Sequence, residues 1–112
     1  MYAAHKKLDN LIAFTDYNGC QIDGTIDEVN TLGDLAGKWR SFGWHTQEVD
    51  GHDVEAIYNA IQQAQATVGQ PHMILMNTVK GKGVGFVEAM GCGNHNAPIS
   101  KEQMLSALAE LA

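Results

Sequence analysis

Apolar and polar positions along the chain change their period several times, and each change marks an element. Leu11–Tyr17 is a short apolar run ending at Asn18-Gly19, which predicts a buried strand leading into a loop. Leu35–Phe42 predicts a helix stopped by Gly43, and Trp44–Val49 alternates as a second strand. Val54, Ile57, Tyr58, Ile61, Ala64 and Val68 then recur at helical spacing. Asp53 and Glu55 suit the positive end of that helix, and Gly69 with Pro71 closes it. His72–Thr78 predicts a third strand. Ser100-Lys101-Glu102-Gln103 has the form of a capping box, and Met104, Leu105, Leu108 and Leu111 make one apolar stripe behind it.

Strand and helix alternate in this order, which predicts an α/β fold of about three parallel strands with right-handed crossovers and flanking helices. Parallel sheets are normally covered on both faces, and an open edge presents unpaired N–H and C=O groups. A three-stranded sheet of this kind is expected to seek a partner, as a homo-oligomer (a dimer) or with other polypeptides. No repeat or linker interrupts residues 1–112, which are taken as one domain.

Composition narrows the function classes. The chain of 112 residues is 45% hydrophobic and 18% charged, so it is large and apolar enough to bury a core. A formal net charge of −6, with only 7 lysines and arginines, argues against nucleic-acid and anionic-membrane partners, which require clustered cations. The N-terminus has no apolar signal core, and no run approaches the ~20 apolar residues of a membrane span. Cys20 and Cys92 lie far apart and form no Cys-x-x-Cys pair. Neither a zinc site nor a disulfide framework is expected from them, Cys20 is read as a small buried hydrophobe, and a reducing cytoplasm is the default.

Ligands of open parallel sheets bind beyond the carboxyl ends of the strands. Three polar clusters lie there: Asp16 to Gly24, Lys80-Gly81-Lys82-Gly83, and Asn94-His95-Asn96. Asn18 offers a neutral oxygen suited to Mg²⁺, and a backbone carbonyl two residues later can reach the same ion from a tight turn. Lys80 follows a strand in a glycine-rich stretch where backbone and ammonium can approach a phosphate. Each signal alone has a plainer explanation. Asn-Gly after a strand is usually only a turn, Asp16 and Asp23 can be solvated loop acids, and Lys80–Gly83 lacks P-loop spacing. His95 can be a surface residue or cap the last helix, the other histidines show no metal spacing, and Trp39, Phe42 and Trp44 are expected in the core.

Jointly the segments are far more specific. Leu8–Ile12, Asp16-Tyr-Asn-Gly-Cys-Gln-Ile-Asp-Gly24, Lys38-Trp-Arg-Ser-Phe-Gly-Trp44, Val49-Asp-Gly-His-Asp53, Thr78-Val-Lys-Gly-Lys-Gly83 and His95-Asn-Ala-Pro98 occur in the order seen in transketolases. The chain resembles the separate N-terminal subunit of split transketolases from about Lys7 to Leu111. Trp39–Asp53 favours that family over deoxyxylulose-phosphate synthase and other thiamine-diphosphate enzymes.

The resemblance implies a partial Rossmann-like thiamine-diphosphate-binding fold, the C-terminal portion of that domain. It implies thiamine diphosphate and Mg²⁺ as cofactors, and two-carbon ketol transfer between sugar phosphates as the reaction. Asn18 matches the asparagine that binds Mg²⁺ and the diphosphate, and Cys20 the position whose carbonyl completes the metal shell. Ile22 matches the apolar residue against the cofactor's rings, and Lys80 a lysine that contacts the cofactor in some members. His95 matches the histidine shared between diphosphate and sugar, and so is the candidate catalytic residue. Asn96 departs from the family, which usually has glycine there. The family's Gly-Asp-Gly metal aspartate would lie upstream of Met1, and its activating glutamate belongs to another domain. The chain alone is therefore expected to be inactive and to bind the cofactor weakly or not at all. Its place is then in an assembly with complementary transketolase polypeptides; the alternative is a non-catalytic oligomeric or binding module derived from a truncated transketolase gene.

Overall fold

The computed structural model describes all 112 residues. Its contacts divide into two compact units, Met1–Tyr17 with Leu32–Thr78, and Asn18–Thr31 with Val79–Ala112.

The first unit opens with a single helical turn, α1 (Tyr2–His5), and the strand β1 (Ile12–Tyr17). After β1 the chain makes two short strands, β2 (Cys20–Gln21) and β3 (Gly24–Thr25), and the helix α2 (Ile26–Asn30), all in the second unit. It returns through α3 (Leu35–Ser41), β4 (His45–Asp50), α4 (Val54–Ala66) and β5 (His72–Asn77). The sheet order is β1-β5-β4 and both pairings are parallel, with Ile12 and His45 both opposite His72. The expected α/β fold with three parallel strands is therefore present, each strand within one residue of its anticipated limits.

Alternation along the central strand explains how the layers are held. Met73 and Leu75 on β5 are buried with Ala36 of α3, and Ala13, Leu35, Trp39 and Trp44 pack against them. The two indoles meet edge to face at 4.9 Å between centroids. Ile74 faces the other way and is fully buried. Its register partner Gln47 donates from Nε2 to the Ala60 carbonyl of α4 at 2.9 Å, so that face is covered by α4. Asp53 caps α4, accepting from the backbone N–H groups of Glu55 and Ala56 at 2.9 and 3.0 Å.

Two apolar expectations are corrected. Phe42 is 48% exposed rather than in the core, because α3 ends before it. Along α4 the buried residues are Ala60 and Ala64, while Val54 and Tyr58, and Val68 beyond its C-cap, stay exposed. Small side chains let the helix lie close to the strands, and the larger ones one turn away are then lifted off.

His72, at the start of β5, is fully buried. Its Nε2 lies 3.0 Å from the Thr67 carbonyl, and its Nδ1 is 3.3 Å from Nδ1 of His45. A carbonyl only accepts, so Nε2 of His72 carries hydrogen, and one of the two facing Nδ1 atoms donates to the other. Burial, and secondarily the neighbouring His72, hold the His45 pKa below the ordinary histidine value. In the unfolded chain His45 therefore takes up its proton at higher pH than in the folded one. Its contribution to stability is complete above the ordinary value and is lost as pH falls through the lowered one. Urea midpoints are expected to fall between pH 7.5 and pH 5 in the native chain, and to fall less in His45→Gln. Equal pH dependence of the two would refute this.

Candidate functional site

All the sequence-predicted site residues belong to the second unit. Two segments build it. In the first, Gly19 turns the chain with φ +73, and β2 and β3 pair antiparallel through Cys20 with Thr25 and Gln21 with Gly24. Asn18 Oδ1 accepts the backbone N–H of Cys20 at 3.0 Å, and the Gly19 carbonyl accepts from Ile26 at 3.0 Å. These bonds set a tight turn in which the Asn18 side chain and the Cys20 backbone are neighbours. A capping box between Thr25 and Glu28 then starts α2.

The second segment runs from Val79 through α5 (Gly85–Ala89), a 3₁₀ turn (Gly91–Asn94) and α6 (Lys101–Glu110). Ser100 and Gln103 form the anticipated capping box at the start of α6. Gly81 has φ +81, and a Cβ there would sit 2.5 Å from Val87 Cγ1, so only glycine fits. Lys82 pairs with Glu88 at 3.9 Å, and the same carboxylate accepts the Gly83 N–H at 2.8 Å. Lys80 has no such partner among the ion pairs of the chain. Asn94 Nδ2 donates to the Val87 carbonyl at 3.2 Å and lies 3.5 Å from the Lys80 carbonyl, bracing the lysine's backbone next to His95.

The two segments enclose a cleft of about 320 Å³ lined by Asn18, Cys20, Gln21, Ile22, Lys80, Cys92 and His95. Every residue singled out in the sequence as a cofactor or metal contact thus lines one cavity. Ile22 is 63% exposed at the hairpin tip, so an apolar side chain is presented to whatever enters. No carboxylate lines the cleft, and its one formal charge is the Lys80 ammonium. This electrostatics suits an anion. The hard oxygens of Asn18 and Cys20 suit part of a Mg²⁺ shell, which carboxylates or phosphate oxygens must complete.

Asp16, by contrast, belongs to the first unit and accepts a hydrogen bond from Thr78, a structural role at the end of β1. Asp23 sits in the hairpin turn, its N–H held by Gln21 Oε1 at 2.9 Å.

Cys20 requires a correction. It is joined to Cys92 in a disulfide with Cα atoms 5.3 Å apart, and the chain has no free cysteine. Seventy-two positions separate them in sequence, but separation along the chain does not set distance when the hairpin and the 3₁₀ turn share one unit. The cystine also removes the ground for inferring a reducing compartment from the cysteines. No helix is long and apolar enough to cross a membrane.

Comparison with known proteins shows the family. Residues 1–111 match the family model described as transketolase, thiamine diphosphate binding domain. The chain belongs to the transketolase family. It is 50% identical over 111 residues to the 6-deoxy-6-sulfo-D-fructose transketolase subunit SqwG of Clostridium sp. (strain MSTE9), covering 99% of this chain and 40% of that protein. It is 37% identical over 96 residues to one of the apulose-4-phosphate transketolase subunits, from Phocaeicola vulgatus, covering 86% of this chain and 34% of the relative. Among solved structures, transketolase from Pichia stipitis in complex with sedoheptulose 7-phosphate superposes with a TM-score of 0.84 at 33% identity, over 97% of this chain and 16% of that one. The chain thus spans well under half the length of these relatives.

Within the transketolase frame, Gln21, Cys92 and Asn94 are the residues that motif reading passed over. Gln21 and Cys92 line the cleft, and Asn94 braces Lys80. Gln21 and Asn94 had a signal in the sequence, their places in the polar clusters around Asn18 and beside His95.

Proposed function

We propose that this chain contributes part of the thiamine diphosphate and Mg²⁺ site of a transketolase whose remaining parts come from complementary polypeptides. The observation that carries this reading is the Lys80 ammonium, without an ion-pair partner, in a cleft that holds Asn18 and His95 and no carboxylate. Lys80 and His95 bind the diphosphate, Asn18 Oδ1 and the Cys20 carbonyl hold Mg²⁺, and Ile22 lies against the cofactor's rings. When bound, thiamine diphosphate supplies the chemistry that moves a two-carbon ketol unit from a ketose to an aldose. His95, exposed at the end of the 3₁₀ turn, orients the sugar's oxygens and exchanges hydrogen bonds with them.

The relatives named for a sulfonated fructose and for apulose 4-phosphate support a substrate class of sugars with an anionic end group. Assembly is supported by α6, whose Met104, Leu105 and Leu108, with Leu111 at its C-cap, are 46 to 62% exposed, an apolar stripe uncovered within the chain. A complementary transketolase polypeptide, or a second copy of this chain, covers it.

Titration calorimetry with thiamine diphosphate and Mg²⁺ tests the reading. The chain alone is expected to bind with a dissociation constant weaker than about 1 μM (~−8 kcal/mol). Its complex with complementary transketolase polypeptides is expected to bind more tightly, and Lys80→Ala to lose about tenfold or more of that affinity, as for a hydrogen bond to a charged group. Tight binding unaffected by Lys80→Ala would overturn the assignment of this cleft.

A further inference from the structure

The two segments of the cleft are tied by the Cys20–Cys92 disulfide. Resting on the reading of the cleft as a diphosphate site, we propose that this disulfide is a redox latch. Oxidised, it holds the His95 turn against the Asn18–Asp23 hairpin; reduced by a dithiol, it frees the turn and weakens binding of the anion.

Placement is the first support. Cys20 stands two residues after Asn18, and its N–H is the one Asn18 Oδ1 accepts. Cys92 lies within the 3₁₀ turn that ends at His95. One covalent bond therefore fixes the spacing between the metal-binding and the histidine-bearing parts of the cleft. Access is the second support. Both cysteines are half-buried and both line the cleft, so a small dithiol or an exposed redox-protein thiol can reach a sulfur.

The third support is how little else holds the turn to the hairpin. Gly19, Gly91 and Gly93 flank the two cysteines, and a side chain at any of them would meet nothing within 4 Å. The turn's own hydrogen bonds are local, Gly93 N–H to Met90 at 3.1 Å and Ala97 N–H to Asn94 at 3.5 Å. Asn94 ties it toward Val87 and Lys80, on its own segment. A turn of this kind, with two glycines and short-range bonds, gains freedom when its cross-link is cut.

The exchange balances without any other reactant. A thiolate of the dithiol attacks one cystine sulfur and forms a mixed disulfide, and its second thiol displaces the protein sulfur. The protein takes up two electrons and two protons as Cys20 and Cys92 thiols, and the dithiol leaves as its own cyclic disulfide. If the freed turn adopts the closed position about one tenth of the time, apparent affinity falls about tenfold.

The test uses the chain assembled with complementary transketolase polypeptides and equilibrated with dithiothreitol in its oxidised and reduced forms at graded ratios. Thiol content is read by alkylation and mass, amide exchange is read over Gly91–Asn96, and affinity for inorganic diphosphate with Mg²⁺ is read by calorimetry. The expected result is loss of exchange protection over Gly91–Asn96 and about tenfold weaker diphosphate binding, both reversed on reoxidation. Cys92→Ser should match the reduced state and ignore dithiothreitol. If Cys92→Ser does not fold, the reversible titration of the native chain decides alone. Equal diphosphate affinity or equal protection in the two redox states would overturn the latch while leaving the site assignment standing. Absence of diphosphate binding in both states, with protection still lost on reduction, would instead overturn the site assignment, and with it the latch as a control on binding.

Discussion

Asn18→Ala is expected to lower metal-dependent cofactor affinity in the assembled transketolase by at least about 30-fold. Two contacts are at stake in one side chain. The amide oxygen is the proposed neutral ligand of Mg²⁺, and it also accepts the Cys20 N–H at 3.0 Å, which shapes the turn that aims the second ligand, the Cys20 carbonyl. A contact to a charged ligand is worth about 1.5–3 kcal/mol and a neutral hydrogen bond about 0.5–1.5 kcal/mol, so losing both is worth about 2 kcal/mol or more, a factor of about 30 or above. Asn18→Asp keeps an oxygen for both roles and adds only charge. An aspartate oxygen still accepts the Cys20 N–H, so the turn survives, while the added negative charge opposes the diphosphate. Calorimetry should place it between the native chain and Asn18→Ala. An Asn18→Ala variant that binds within threefold of the native chain would remove Asn18 from the metal site.

Ile74→Ala should produce the largest loss of stability. Ile74 is fully buried at the middle of β5, the strand hydrogen-bonded on both sides. Its removal forfeits transfer free energy and leaves a cavity beneath α4, together about 2–5 kcal/mol. The main chain on both sides is fixed by two parallel ladders and cannot collapse far into the space. Val54→Ala on the exposed end of α4 removes a side chain that is 80% accessible, and is expected to change stability by about 0.5 kcal/mol at most. Urea unfolding of the two variants should differ by a clear shift in midpoint at constant slope. Similar midpoints would mean that the β5 core is less tightly packed than described.

The parts of this fold that were legible in the sequence are those in which burial imposes a period. β5 is a continuous apolar run because both faces are covered, and Asp53 marks the start of α4 because its carboxylate caps two N–H groups. The hairpin Cys20–Thr25 was not legible, since two-residue strands offer no alternation to detect. α5 and the 3₁₀ turn are held by glycine geometry and side-chain bonds rather than by an apolar face. The cystine was missed for a related reason: pairing depends on which loops share a unit, and a sequence separation of 72 carries no information about that. The candidate site fared better. Asn18, Cys20, Ile22, Lys80 and His95 come from loops, yet fixed residue types in a fixed order pointed to one cleft, where the structure does gather them.

Both tryptophans of the chain, Trp39 and Trp44, lie in the first unit, with buried indole N–H groups that find no acceptor. The tyrosines, Tyr2, Tyr17 and Tyr58, are there as well, and the second unit has Phe86 as its only aromatic ring of the three common kinds. Tryptophan and tyrosine absorbance and emission therefore originate outside the unit that carries the cleft, whose cystine and Phe86 add only weak signals. A melting curve followed by tryptophan light reports the loss of the parallel sheet, and a tryptophan introduced at Phe86 would give the other unit an optical signal of its own.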